Sequence, residues 1–290
     1  PDRVFYVLFH AQFRSPLLWD VISIGLYLTA SPIYLYIPMI PDLAIIRDSG
    51  IKAPWLYRFL AAGYRHTPKQ RARLERIIGV LAIMVIPIAV SVHTIIGWIF
   101  AMTLRPMWHS TIFGPYFVMG AIYSGIAAIL IAMVILRRAY GFENYFKEIH
   151  FDYMGRLLLL FSLLWFYFTF AEYLTAFYGG EPAEMRTFWA KVAGPFAIPF
   201  WAMVAGCFVI PLALMCRRST RTPRGTLIAG IAVVIGMWLE RFNIVVPTSV
   251  NPRWEMESLG QYLPSWVELS ILAATFAGFI LLYMLATKLF

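Results

Sequence analysis

Charge is scarce in this sequence, and cysteine is scarcer. Only 13% of the residues are Asp, Glu, Lys or Arg, about half the share of an ordinary soluble domain. So few charges cannot solvate a water-facing surface, which excludes the soluble enzymes as a class. The two cysteines, Cys207 and Cys216, share one apolar segment and form no CxxC pair, so no thiolate-held iron–sulfur cluster is expected in this chain. Walker, GxGxxG, GxSxG and HExxH patterns are all missing, which removes nucleotide hydrolysis, dinucleotide binding and the common hydrolases. Of five histidines only His93 lies inside an apolar run, and bis-histidine haem needs pairs. His10, His66, His109 and His150 fall in or beside connections, and "HFD" at 150–152 is too sparse for a metal site. No metal is expected.

Apolar residues fill the space. They form 61% of the chain, and the mean hydropathy is +0.72. A span needs about 20 apolar residues to cross a hydrocarbon core of about 30 Å. Seven stretches qualify, at 17–40, 77–104, 115–136, 157–178, 193–216, 226–247 and 265–287. The expected class is an all-α polytopic membrane bundle of at least seven transmembrane helices, in a single membrane domain over 1–290. Pro38 and Pro41 are expected to close the first span. The sequence starts at Pro1 without a methionine, and helices upstream of it are expected.

The net charge of +9 is unevenly placed. Connections 41–76, 137–156 and 217–225, with Lys288, hold 17 of the 24 lysines and arginines. By the positive-inside rule that side is cytoplasmic, so Pro1 is expected outside and Phe290 inside. The basic surplus then reports topology and a lipid-facing surface, and nucleic acid is not an expected partner.

Topology gives depth to the buried polar groups. His93 lies near midplane, and Glu172, Glu240 and Arg241 about 10 Å from the outer helix ends. Asp20 opens the first span on that side, and Arg105 and His109 sit between the second and third. Asp42, Arg47 and Asp48 are the inner counterparts. Such groups are costly in lipid and either pair or line a route. Two readings stand open for each. His93 bonds a helix carbonyl or serves a ligand; Glu172 and Arg241 form an interhelical ion pair or a proton path. A route between leaflets would need Ser91, Thr94, Ser162 and Thr169 to hold water at the middle depths.

The stretches "FRSPLLWD", "IPDLAIIRD", "SVHTIIGWIF", "PMWHSTIFGPYFVMGAIYSG" and "WLERFNIVVP" resemble the NrfD/PsrC family of quinone-interacting membrane subunits, and the resemblance covers essentially all 290 residues. It implies a haem-free subunit of a respiratory oxidoreductase complex in a bacterial or archaeal cytoplasmic membrane. Menaquinone or ubiquinone would be the substrate. Electrons would be exchanged with a ferredoxin-like iron–sulfur subunit on the outer face, which feeds a molybdopterin or cytochrome subunit. Alternative complex III contains relatives with ten spans, whose portion after the first three corresponds to the seven here. Quinol-oxidising members carry an acid six residues after the histidine matching His93; here that position is Ile99. On this reading His93 and Glu172 carry the proton chemistry, and Asp20, His93, Trp98 and His109 shape the headgroup site. Asp42, Arg47, Glu172, Glu240 and Arg241 form the proton path or ion pairs. Proton translocation is compatible with that layout. The alternatives are an ion or solute transporter and a purely structural anchor for an extracytoplasmic redox enzyme.

Overall fold

The computed structural model describes residues 6–50, 54–250 and 262–289. Its helices in order are α1 (Tyr6–Phe9), α2 (Pro16–Asp48), α3 (Pro54–Leu60), α4 (Pro68–Ala101), α5 (Phe113–Ala139), α6 (Glu148–Gly179), α7 (Pro182–Val192), α8 (Ala197–Val204), α9 (Ile210–Met215), α10 (Pro223–Val250) and α11 (Trp266–Leu289). Seven helical segments among the described residues are long and apolar enough to span: α2, α4, α5, α6, α8 with α9, α10, and α11 as far as Ala286. No strand occurs among the described residues. The expected class of all-α polytopic membrane bundle is borne out.

The core lies between α5, α6, α8–α9 and α10, where Tyr123, Leu130, Phe151, Leu158, Trp165, Cys207, Met215 and Val233 are buried. Lipid tails are as apolar as leucine, so close packing and interhelical hydrogen bonds must hold these helices together. Glycine supplies the closeness. A Cβ on Gly206 would stand 2.8 Å from the Ala232 carbonyl oxygen, and one on Gly236 would stand 2.6 Å from the Cys207 sulfur. The α8–α9 span therefore touches α10 backbone to backbone. α4 packs on α5, and α2 packs on α4. α11 is exposed along the described part of its length.

The α8–α9 span changes pitch in the middle. A single π turn, Ala205–Val209, joins α8 to α9, and Pro211 follows it. Proline has no N–H, so an α-helical bond to the carbonyl four residues back, at Cys207, cannot form. Two hydroxyls occupy that carbonyl instead. Tyr123 on α5 donates to it at 2.7 Å, and Ser162 on α6 donates at 2.9 Å. One helical irregularity thus ties three helices together at the centre of the bundle.

The helix ends on the basic side differ from expectation. Pro38 and Pro41 do not close the first span; α2 runs through Pro32, Pro38 and Pro41 to Asp48. Each proline removes one bond, and the bonds on either side carry the helix past it. Packing then holds the extension, because Leu43 and Ala44 are buried against Tyr57, Ala61 and Tyr64. The Tyr36 hydroxyl also donates to the Leu60 carbonyl at 2.5 Å. Most of the basic stretch after Thr67 is not loop but the first turns of α4. Pro68 opens that helix, and the Thr67 hydroxyl accepts from the Gln70 amide at 3.3 Å. That arrangement follows the usual rules for a helix start.

Removing either hydroxyl from the Cys207 carbonyl leaves the other in place. Tyr123→Phe or Ser162→Ala alone is expected to cost about 0.6 kcal/mol, the usual worth of such a bond between membrane helices. The double variant orphans the carbonyl and is expected to cost about 2 kcal/mol. Unfolding in mixed detergent micelles measures the cycle, and strictly additive losses would show that the two hydroxyls do not share one acceptor.

Candidate functional site

Two polar regions face the end of the bundle where α2 begins and α4 ends, the expected outer end. The first is the seam between α2 and α4. Asp20, Ser23 and Tyr27 are spaced three and four residues apart, which sets them on one face of α2. Ser23 is buried, whereas the rest of the outer half of α2 is not. Tyr27 meets His93 of α4 edge-on, with ring centroids 6.1 Å apart. One oxygen of Asp20 is buried without a hydrogen-bond partner among the described residues.

The bonding of His93 decides its chemistry. Its Nδ1 lies 2.7 Å from the Ala89 carbonyl oxygen, one turn back on α4. A carbonyl can only accept, so Nδ1 carries the hydrogen. In neutral imidazole the other nitrogen is then an acceptor with a free lone pair. Of the two readings open for this ring, the bond to a helix carbonyl is the one observed, and it uses Nδ1 alone.

Above the seam is an apolar pocket of about 400 Å3, lined by Arg14, Pro16, Trp19, Ile95, Trp98, Ile99 and Met102. Its size falls in the range of small-molecule sites. Trp98 lies five residues after His93, about 140° round the helix. The two therefore look away from one another, Trp98 into the pocket and His93 toward Tyr27. Ile99 is also a pocket wall.

The second region is inside the bundle. Trp165 on α6 donates its indole N–H to one oxygen of Glu240 on α10 at 2.5 Å. The other oxygen of Glu240 lies 3.6 Å from Arg241 Nη1, an ion pair without a direct hydrogen bond. The Arg241 guanidinium sits 4.2 Å over the Phe117 ring. Gly120 makes room for this group, since a Cβ there would stand 3.1 Å from Arg241 Nη2. Next to it is a cavity of about 20 Å3, lined by Glu240, Asn243, Tyr116, Thr169, Glu172 and Lys191 among others, with room for about one water.

Glu172 does not pair with Arg241, which the sequence left as an open choice. It accepts from the Ser110 hydroxyl at 2.6 Å and shares the cavity with Lys191. Arg241 is held instead by its neighbour Glu240 and by Phe117. Partners on the 102–112 connection, on α7 and on α5 decided this, and spacing along one helix does not reveal them. His109 does not line the apolar pocket; its Nε2 is 3.0 Å from Glu184 on α7. His109, Glu181 and Glu184 bring their ligand atoms within 4.8 Å of one another, and the ion pair already accounts for that grouping. At the basic end Asp42 is exposed, and Arg47 is bound to Asp48 at 2.8 Å. Thr94, Ser162 and Thr169 bond helix carbonyls, and Ser91 is exposed.

Lys191 was not singled out from the sequence. It lies on α7, outside the seven spans, yet is only 3% exposed. Its signal was spacing: with Thr187, Phe188 and Ala190 it lies on the buried stripe of that short helix. Burial pushes its pKa down to about 8, with the Glu172 carboxylate opposing the shift.

The model of the polysulphide reductase NrfD family matches residues 1–252. The chain belongs to the NrfD family. It is 27% identical over 295 residues to a putative membrane subunit of dimethyl sulfoxide reductase from Halobacterium salinarum, covering 93% of this chain and 64% of that one. It is 26% identical over 308 residues to a selenate reductase subunit from Mesobacillus selenatarsenatis, covering 100% of this chain and 71% of that one. This NrfD-family chain thus spans about two thirds of the length of these relatives. Both polar regions, α2–α4 and α5–α10, lie within the matched residues, and α11 lies beyond them.

The buried lysine of this NrfD-family chain gives a pH signature. In the unfolded chain Lys191 keeps its ordinary pKa near 10.5, and in the folded chain it titrates at about 8. Between those values the unfolded state binds more protons, so this group makes stability rise with pH. Lys191→Met is expected to flatten the rise in thermal midpoint between pH 8 and 10. An equal rise in the variant would assign it to other groups.

Proposed function

We propose that this chain is the quinone-reactive membrane subunit of a prokaryotic respiratory reductase, oxidising quinol and passing electrons to an iron–sulfur subunit docked on its outer face. The observation that carries the reading is His93, whose Nδ1–H is committed to Ala89 and whose Nε2 is left as an acceptor near midplane. Family membership supports it, as do relatives named for reductases of dimethyl sulfoxide and selenate. A reductase whose membrane subunit meets the lipid pool draws its electrons from quinol, which sets the direction.

Oxidation of quinol to quinone releases two electrons and two protons. The apolar pocket between Trp19 and Trp98 receives the tail, and the headgroup enters the seam between α2 and α4, where one hydroxyl donates to His93 Nε2. That nitrogen takes one proton as the electrons leave, one after the other, to the iron–sulfur partner. Asp20 takes the second proton, supplying from α2 the carboxylate that Ile99 does not provide on α4. The Glu240–Arg241 and Glu172–Lys191 groups form a separate region that holds charge inside the bundle and passes protons toward the outer end. A transporter reading would need open carbonyls at the break in α8–α9, and the Cys207 carbonyl is already taken by Tyr123 and Ser162.

His93→Ala in the assembled complex is expected to lower quinol-dependent turnover about 100-fold, the lower end of what a general base contributes. Turnover driven by a soluble artificial donor to the partner subunits should stay unchanged. Full quinol turnover with intact assembly would remove His93 from the mechanism.

A further inference from the structure

At the opposite, basic end of the bundle is a second large pocket, of about 470 Å3. Its walls come from the last turns of α5, the start of α6 and the start of α10. Arg137, Arg138 and Arg224 line it, with Val134, Glu143, Glu148, Thr222 and Pro223. None of the three arginines forms an ion pair among the described residues, although two carboxylates share the pocket. Asp152, on α6 next to the pocket's Glu148 turn, is already used. It holds Arg156 at 2.5 Å and Arg221 at 2.9 Å, and so fixes α6 against the turn before α10.

Arg137 is the best-held of the three. Its guanidinium lies 5.7 Å over the ring of the fully buried Phe151, which orients it. Its Nε is buried and has no hydrogen-bond partner among the described residues. A buried, oriented donor without an acceptor is costly unless an acceptor arrives. The first turn of α10, where the Gly225 and Thr226 amides are capped by Thr222, adds the helix's partial positive charge to the same space.

We propose that this pocket binds the phosphate of an anionic phospholipid in the leaflet at the basic end. The forked donors of arginine match phosphate oxygens in geometry and charge. The layering of the pocket favours a lipid over free phosphate. Arg137 and Arg138 end α5 at headgroup level, and the buried Val134 lies one turn deeper on the same helix, where the glycerol and first methylenes of a lipid would sit. Positive pockets between helices at the inner face suit such headgroups. The bound lipid joins α5, α6 and α10 at the end opposite the quinol seam, so this site is independent of the proposed quinone chemistry.

Native mass spectrometry of the purified full chain, titrated with cardiolipin or phosphatidylglycerol, tests this. Phosphatidylcholine and inorganic phosphate serve as comparison arms. Anionic lipid should bind in preference to phosphatidylcholine. Arg137→Gln with Arg224→Gln should weaken it about 30-fold, from the usual contribution of each arginine near a membrane surface. Arg138→Gln alone, at an exposed position that folding tolerates, should weaken it about fivefold by the same measure. Arg71→Gln, on the exposed first turns of α4, should leave it unchanged. Equal binding by wild type and both pocket variants would overturn the site. Displacement by millimolar inorganic phosphate would overturn the lipid and leave a soluble anion as the ligand.

Discussion

Inside lipid a polar group with no partner cannot turn to water, and the arrangement of this bundle follows from that constraint. Its clearest expression is the carbonyl of Cys207. Pro211 prevents the usual helical bond to it, and Tyr123 and Ser162 replace that bond from two other helices. Because both donors come from outside the span, the break fixes the relative height of α5, α6 and α8–α9. Gly206 and Gly236 then fix how closely α10 approaches. The irregular turn serves as the central fastening.

The same constraint sorts the ionisable groups into two kinds. Glu240 is 1% exposed and is held by Trp165, Arg241 and the space that Gly120 leaves open. Such a carboxylate is positioned by the whole bundle and cannot move without disturbing it. Asp20 and His93 sit between two helices that bury little of their own surface. They are reachable from lipid, whereas Glu240 is not.

Much of this was legible in the sequence. Seven spans follow from apolar runs of sufficient length, and the concentration of His93, Glu172, Glu240 and Arg241 follows from counting along them. Helix ends were less legible. α2 continues past Pro41 because Leu43 and Ala44 find partners on the segment around Tyr57 and Ala61, and composition does not encode that packing. Pairing was the least legible. Glu172 meets Ser110 and Lys191 because the 102–112 connection is tied back to α10 through Trp108, whose indole donates to the Ile244 carbonyl at 2.7 Å. Which loop folds over which span depends on tertiary contacts of that sort. Lys191 was hidden because a lysine in a short connection reads as solvated.

Charge balance inside the bundle constrains the ionisable groups held there. Glu172 and Lys191 line the same cavity as Glu240, and Arg241 stands beside Glu240. Two carboxylates and two basic side chains are thus matched in number within a region of low dielectric. Adding a proton to either carboxylate leaves a net positive charge, which is unfavourable unless a proton leaves elsewhere. Lys191 is the group best able to release one, since burial has already brought it to about 8. It also sits on α7, outside the spans, and is buried there. The four groups thus depend on one another, and a change in charge at any one of them is felt by the other three.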